Sequence, residues 1–467
     1  MIIDSAQFIK SFISDLNDEL KKLNPNACLS KAQMAWLSFC LMGIMLVNSV
    51  CWAKFERASL GKYKLASLSW MFRHSKIAWS LLFRASINRV LKQHHITKGS
   101  LVIDETDRAR AKTTSRIHKT YKLHDKKTGG YVNGQTIVFL LLVTDTVTVP
   151  VGFAFYMPDP AIKDWKKEEA RLKKQNVIKK NRPAKPCCNP HYPSKAQIAL
   201  NLLQEFKEHH DDIKVQCILA DALYGENQFM NNASEIFNHV QVISQLRKNQ
   251  NIWYKGRKRS LETYFNSINK GQEQHICIRG GEKKTVIVSS ARLKVDAHGT
   301  KRFVIALKYE GETDFRYLVA TDMSWQTKDI LQAYTLRWLV EVFFWDWKLN
   351  EGWGREAKQY DDEGSSRSLI LSLLLDHCLL LHPEQIIQIE NKLPAYTVGS
   401  LQRRAQMDAL LDFITSLLSH ENPGEEIKKL GLIIKDVFQL IPSKKHMSGR
   451  NLGRLEPTPS LKYRATG

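Results

Sequence analysis

The 467-residue chain predicts an α/β fold: a mixed sheet flanked by helices, interrupted by an all-β insertion and set between two helical regions. Three observations predict it. Between residues 100 and 246, β-rich apolar runs alternate with amphipathic helical stretches. From 250 to 322 the apolar period drops to two, the repeat of half-buried strands. On either side, apolar residues recur at helical spacing.

The first region, 1–98, reads as a helical N-terminal domain. Its opening MIIDSAQFIK has no basic segment leading into an apolar core, so no signal peptide is expected. Residues 34–53 approach the roughly 20 apolar residues of a membrane span. Ser38, Gly43, Asn48 and Ser49 interrupt them and no second span follows, so a buried helix is expected and no membrane. Residues 64–93 form two helical segments broken near His74 and Ser75, with Ser75 placed to cap the second. Arg73, Lys76, Arg84, Arg89 and Lys92 make that pair basic. Recognition of DNA ends by a helix-turn-helix and plain helical packing both account for it.

At residue 100 the pattern changes. SLVID (100–104) is an apolar run ending in an acid, and 137–146 with 147–156 read as a hairpin. Residues 195–210 form an amphipathic helix capped by Ser194, and VQCILADALYG (215–225) is a second buried strand ending in an acid. A helix (226–238) and a strand (240–246) follow. Three strands, then helix, strand, helix, strand, is the order of a ribonuclease-H-like core, placed at 99–249. Between its third strand and first helix, 159–195 carries eleven Lys and Arg and reads as a long basic flap facing DNA. The β-insertion occupies 250–327, the core resumes at 328–375 with an acid-bearing helix, and 376–441 is a helical C-terminal region. Residues 442–467, rich in Pro, Gly, Ser and cations, read as a flexible basic tail.

Sixty-nine Lys and Arg against 47 Asp and Glu give a net charge of +22. Such an excess selects a polyanionic partner, nucleic acid ahead of an anionic membrane. It disfavours a neutral metabolic enzyme, and the composition rules out a small disulfide scaffold. The eight cysteines show no C-x-x-C spacing and mostly lie in apolar runs, as in a reducing cytosol. A cytoplasmic, nucleoid-associated protein is therefore expected. Cys187, Cys188 and His191 cluster, but adjacent cysteines suit a zinc tetrahedron poorly and no metal is assigned there.

The candidate chemistry lies in carboxylates. Asp104 ends the first core strand and Asp221 the fourth, which are neighbours in a ribonuclease-H-like sheet. A third acid stands in YTLRWLVEVFFWDWK (334–348). At roughly 100° per helical residue, Tyr334, Arg337, Glu341 and Lys348 fall within about 60° of one another. Leu336, Leu339, Val340, Phe343 and Trp347 fall on the opposite side and should pack on the core. Three carboxylates suit two-metal phosphoryl transfer, in which Mg²⁺ takes hard oxygen ligands. Asp104 is assigned as the ligand bridging two Mg²⁺ ions, for which Mn²⁺ should substitute, with Asp221 and Glu341 one to each. Glu105 should point to the opposite side of the strand, while Asp107, Asp145, His118 and His124 are assigned no chemistry.

The spacing Tyr334-x2-Arg337-x3-Glu341-x6-Lys348 resembles the Tyr-Arg-Glu-Lys signature of DDE transposases of the insertion-sequence-four family. LVIDET (101–106) resembles that family's first Asp motif and LADALYG (219–225) its second, and EVFFWDWKLNEGWGREAKQY (341–360) its helix and following turn. The likeness covers about 100–375. It implies Asp104, Asp221 and Glu341 as catalytic metal-binding acids. Arg337 and Lys348 would hold transposon-end phosphates, and Tyr334 a phosphate near a base flipped from the stack. The implied activity is cut-and-paste transposition of bacterial type on double-stranded DNA: a nick, a hairpin, its opening, then strand transfer, by a homodimer in a synaptic complex. Trp253 and Trp325 are candidates to stack on the flipped base, though neither matches a motif. The alternatives are a metal-dependent DNA nuclease without strand transfer and a domesticated DNA-binding protein.

Overall fold

The computed structural model describes residues 4–110, 116–124, 129–187, 189–277, 282–353 and 359–439. Five helices come first: α1 (Gln7–Leu23), α2 (Lys31–Val47), α3 (Trp52–Ala58), α4 (Leu65–His74) and α5 (Trp79–Gln93). Ser30 starts α2 with a reciprocal capping box to Gln33, and residues 36–45 behind it are all buried. Among the described residues no single helix is long and apolar enough to cross a membrane, and α2 is bent by 86° from α3.

The α5 helix buries Leu82, Phe83, Ile87, Val90 and Leu91. Two of its cations are bound within the helical cluster: Arg89 to Asp15 at 2.8 Å and Lys92 to Glu19 at 2.5 Å. Ser75 does not cap α5; its amide closes α4 on the Met71 carbonyl, and the residue before α5 is Ala78.

One sheet of twelve strands forms the body among the described residues, ordered β2-β3-β1-β5-β6-β12-β11-β10-β7-β8, with β4 on β3 and β9 on β10. The core strands are β1 (Lys98–Ala109), β2 (Tyr121–His124), β3 (Tyr131–Val143), β4 (Thr148–Tyr156), β5 (Lys214–Ala220) and β6 (Gln241–Leu246). The later ones are β7 (Asn251–Tyr254), β8 (Arg257–Ser260), β9 (Gln272–Cys277), β10 (Lys283–Val295), β11 (Lys301–Tyr309) and β12 (Arg316–Ala320), with α9 (Leu261–Ser267) among them. Because β12 pairs antiparallel with β6, from Tyr317–Leu246 to Ala320–Ile243, the strands of 250–327 continue the core sheet instead of closing on themselves.

Two corrections to the sequence reading follow. The 159–195 segment is not simply a loop: it contains the helix α6 (Pro160–Lys174), started by Pro160 and by the Asp159 carboxylate accepting from the Ala161 amide, with no residue buried. The acid-bearing segment is not one helix. It runs as α10 (Thr327–Thr335), a 3₁₀ turn (Leu336–Trp338) and α11 (Leu339–Asn350). A 3₁₀ turn advances about 120° per residue, against about 100° in an α-helix.

Helices α7 (Lys195–His209) and α8 (Asn227–Ile236) flank β5 in the chain. The C-terminal helices are α12 (Asp362–Leu380), α13 (Pro383–Glu390), α14 (Val398–Leu418) and α15 (Pro423–Val437), so residue 376 falls inside α12. His377 of α12 bonds Ser86 of α5 at 2.7 Å and the Pro150 carbonyl of β4 at 3.1 Å, which joins the first helices, the last helices and the sheet. The expected tail, 442–467, lies outside the described residues.

Candidate active site

Asp104 does not end its strand. Along β1 the antiparallel ladder to β3 runs from Ser100–Val143 to Ala109–Gly134, whereas the parallel pairing to β5 stops at Ile103–Ala220. The long β3 supports β1 beyond the point where β5 turns away. Asp104 and Asp221 are therefore the next residues on two parallel neighbours, and Asp221 keeps an extended backbone (φ −74°, ψ 173°). In-register residues of adjacent strands point to the same face, so the two carboxylates belong to one edge.

The helix above that edge is set by aromatic packing. Phe139, opposite Asp104 on β3, meets Phe343, Phe344 and Trp347 of α11 with ring centroids 5.5, 5.6 and 5.0 Å apart. The expected apolar side is buried at Leu339, Val340, Phe343 and Trp347, with Leu336 half-buried. From this platform Arg337 donates to Asp104 Oδ2 at 2.8 Å, the pair's side chains being 16% and 9% exposed. The other Asp104 oxygen accepts from the Glu105 amide at 2.8 Å.

Burial pushes the Asp104 carboxyl up to about 7; Arg337 and the Glu105 amide oppose this, while the Asp221 and Glu105 carboxylates add to it. Burial also works against charge on Arg337, but Tyr334, Asp104, Asp221 and Glu341 together raise it above its ordinary value. All three predicted acids thus act on one guanidinium. Tyr334, on α10, is largely buried, and Arg337 lies 5.9 Å from its ring centre. Burial raises that hydroxyl, against Arg337 and with Asp221.

Glu341 stands exposed on α11. Among the described residues no group of three or more His, Cys, Asp or Glu is close enough to hold a metal ion, so the three-acid ligand set expected from the sequence is not assembled. The two aspartates fit a hard divalent cation in donor type and placement. Lys348, expected to hold a transposon-end phosphate, donates from its ammonium to Thr106 Oγ1 and, at 3.0 Å, to the Asp107 carbonyl, fastening α11 to β1.

A cleft of about 360 Å³ opens beside Arg337, lined by Tyr309, Tyr334, Trp338, Lys284 and Arg316 among others. Trp253 is remote in the sheet, on β7, and donates to Asp296 at 2.8 Å, while Trp325 packs against the core. The exposed aromatics near Glu341 are instead Trp338 and Trp345, 64% and 69% exposed. Glu105, on the other face as expected, accepts from Lys195 at 2.8 Å and from the Tyr224 hydroxyl at 3.0 Å. Local periodicity carries no signal for the Tyr224 contact, which joins residues 119 apart in the chain.

Two aspartates on adjacent parallel strands beneath a helix-borne arginine are consistent with a DDE nuclease fold. Residues 26–269 match the family described as DDE superfamily endonuclease, and residues 189–379 the one described as transposase DDE domain. The first match spans more than half of the chain, which therefore belongs to the DDE superfamily of endonucleases. Enzymes of this kind cleave DNA with divalent metal ions. No curated protein matches the chain.

Proposed function

We propose that the chain is a DNA transposase of the insertion-sequence-four type, cutting transposon ends through a hairpin and joining them to target DNA. The observation that carries this is the in-register placement of Asp104 and Asp221 one residue beyond the Ile103–Ala220 pair, with Arg337 between them and α11. Asp104, Asp221 and, brought nearer, Glu341 would hold divalent ions, Mg²⁺ or Mn²⁺, which supply an activated hydroxyl and stabilise the leaving oxygen. Arg337, released from Asp104, would fork onto a phosphate at the cleaved strand. The cleft lined by Tyr309, Tyr334 and Trp338 with Lys284 and Arg316 suits a nucleotide turned out of the stack, as hairpin formation requires. Lys348 would act by holding α11 on β1. Joining two ends calls for two active sites, and the protein would act as a homodimer in the cytoplasm.

The test is incubation with Mg²⁺ and DNA bearing the element's own ends, scored for hairpin ends and joined products. Asp104→Asn and Asp221→Asn should each lower cleavage by about three or more orders of magnitude while end-binding stays within a few-fold. Glu341→Gln should behave the same way; cleavage at the wild-type rate would remove Glu341 from the site. Nicking without joining would favour the nuclease alternative.

A further inference from the structure

The turn that carries Asp221 is gripped at three points by residues from distant parts of the chain. Tyr224 donates from its hydroxyl to Glu105 of β1 at 3.0 Å. Ser244 of β6 donates to the Asp221 carbonyl at 2.8 Å. His298 bonds the Gly225 carbonyl at 2.9 Å from 73 residues away. The turn lies tight against β6, where only glycine fits: a Cβ on Gly225 would stand 2.3 Å from the Gln245 carbonyl oxygen. Asp221 itself makes no side-chain cap bond in its turn, so the grip is on the backbone and leaves the carboxylate for the site.

The third grip comes from the inserted strands. His298 closes the 3₁₀ turn Asp296–His298 between β10 and β11, and is only 5% exposed. Its tautomer is determined by its neighbours. Arg302 can only donate, and its Nε lies 3.2 Å from His298 Nδ1, which must accept. Nε2 then carries the proton and donates to Gly225. Arg302 is anchored in turn by the Asn227 side chain at 2.7 Å and by Asn231, both on α8, the helix that follows the turn.

We propose that His298 is a positioning residue for Asp221: the inserted strands, through the Arg302–His298–Gly225 chain of hydrogen bonds, fix the second acid in register with the first. The proposal rests on Asp221 being a catalytic acid, as read above. Catalytic geometry is sensitive at this scale, since a shift of about 1 Å can cost about a hundredfold in rate.

Three variants of the full chain test it. His298→Leu removes the donor, and His298→Gln replaces it with an amide N–H near the position of Nε2. Tyr224→Phe deletes only the hydroxyl at a second grip point, and serves if the leucine variant does not fold. Hydrogen exchange of peptides covering 219–226 reads the grip without any activity. It should speed up at least about tenfold in His298→Leu and Tyr224→Phe, with β3 peptides over 137–143 unchanged. His298→Gln should remain near wild type. Titration with Mn²⁺ should show weaker binding by the first two variants, and single-turnover cleavage should fall about ten- to a hundredfold at unchanged DNA affinity. Unchanged exchange in both variants would overturn the grip. Faster exchange with wild-type Mn²⁺ affinity would overturn the positioning role. A wild-type protein that binds Mn²⁺ but cleaves no DNA would fail the functional reading alone, and exchange with Mn²⁺ affinity would still decide the role of His298.

Discussion

A carboxylate nearly excluded from water needs a cation or a proton, and Asp104 has Arg337 as its cation. A double-mutant cycle of Asp104→Asn and Arg337→Gln, followed by urea unfolding, should show coupling of roughly 1–3 kcal/mol, because either single change strands a buried partner. Additive effects would mean that the pair is held by its surroundings and not by charge. Glu351 and Asp376 show the other solution. They are buried against each other near the end of α11, and burial raises both, Asp376 to about 8, with the neighbouring carboxylate adding to the rise at Glu351. A raised folded value contributes stability at low pH that is lost as pH climbs through it. Asp376→Asn should therefore raise Tm relative to wild type, with a gap that widens from pH 6 to pH 9. A gap that is constant with pH would mean that Asp376 binds its proton equally in the folded and unfolded chain.

Elements here are positioned by a few polar ties laid over apolar packing. Aromatic contacts to Phe139 place α11, and the Lys348 bonds to β1 fix its angle, so Lys348→Met should leave the helix formed but loosen its seat. The His377 junction ties α5, β4 and α12, and burial depresses its imidazole to about 4, against the Pro150 carbonyl. A depressed value means full stability above the ordinary histidine range and loss as pH falls from about 6.5 toward 4, of order 3 kcal/mol for this one group. The slope of unfolding free energy across that window should flatten in His377→Gln. An equal slope in both proteins would place the acid sensitivity elsewhere, for instance at His210, which burial also depresses to about 4.

At the scale of the molecule, part of the +22 charge stands on an exposed helix. On α6 the exposed Lys163, Lys166, Lys167, Lys173 and Lys174 share an arc of about 120° by helical geometry. They lie on a helix that buries nothing, which makes it an accessible cationic ridge. Changing Lys166 and Lys173 together to Gln should reduce the slope of log affinity against log salt by up to about two, with cleavage at saturating DNA unchanged. An unaltered slope would remove α6 from the DNA path.

The alternation of apolar runs marked the 137–156 hairpin and the strand before Asp221, because strand and helix periods are written locally, while β2 and the run of β1 on to Ala109 left no such mark. The acid-bearing segment shows where that reading stops. Its apolar stripe marked Leu339, Val340, Phe343 and Trp347 as buried, but the 3₁₀ turn at 336–338 arises from docking on the sheet and has no sequence period of its own. Sequence alone determined which residues carry charge and which faces are apolar, and so the candidate acids and cations. Only the tertiary structure decided that Asp104 lies mid-strand, that Arg337 is its counter-ion, that the inserted strands continue the core sheet, and that His298 reaches Gly225. Those outcomes depend on register and on contacts between residues far apart in the chain, which local periodicity does not encode.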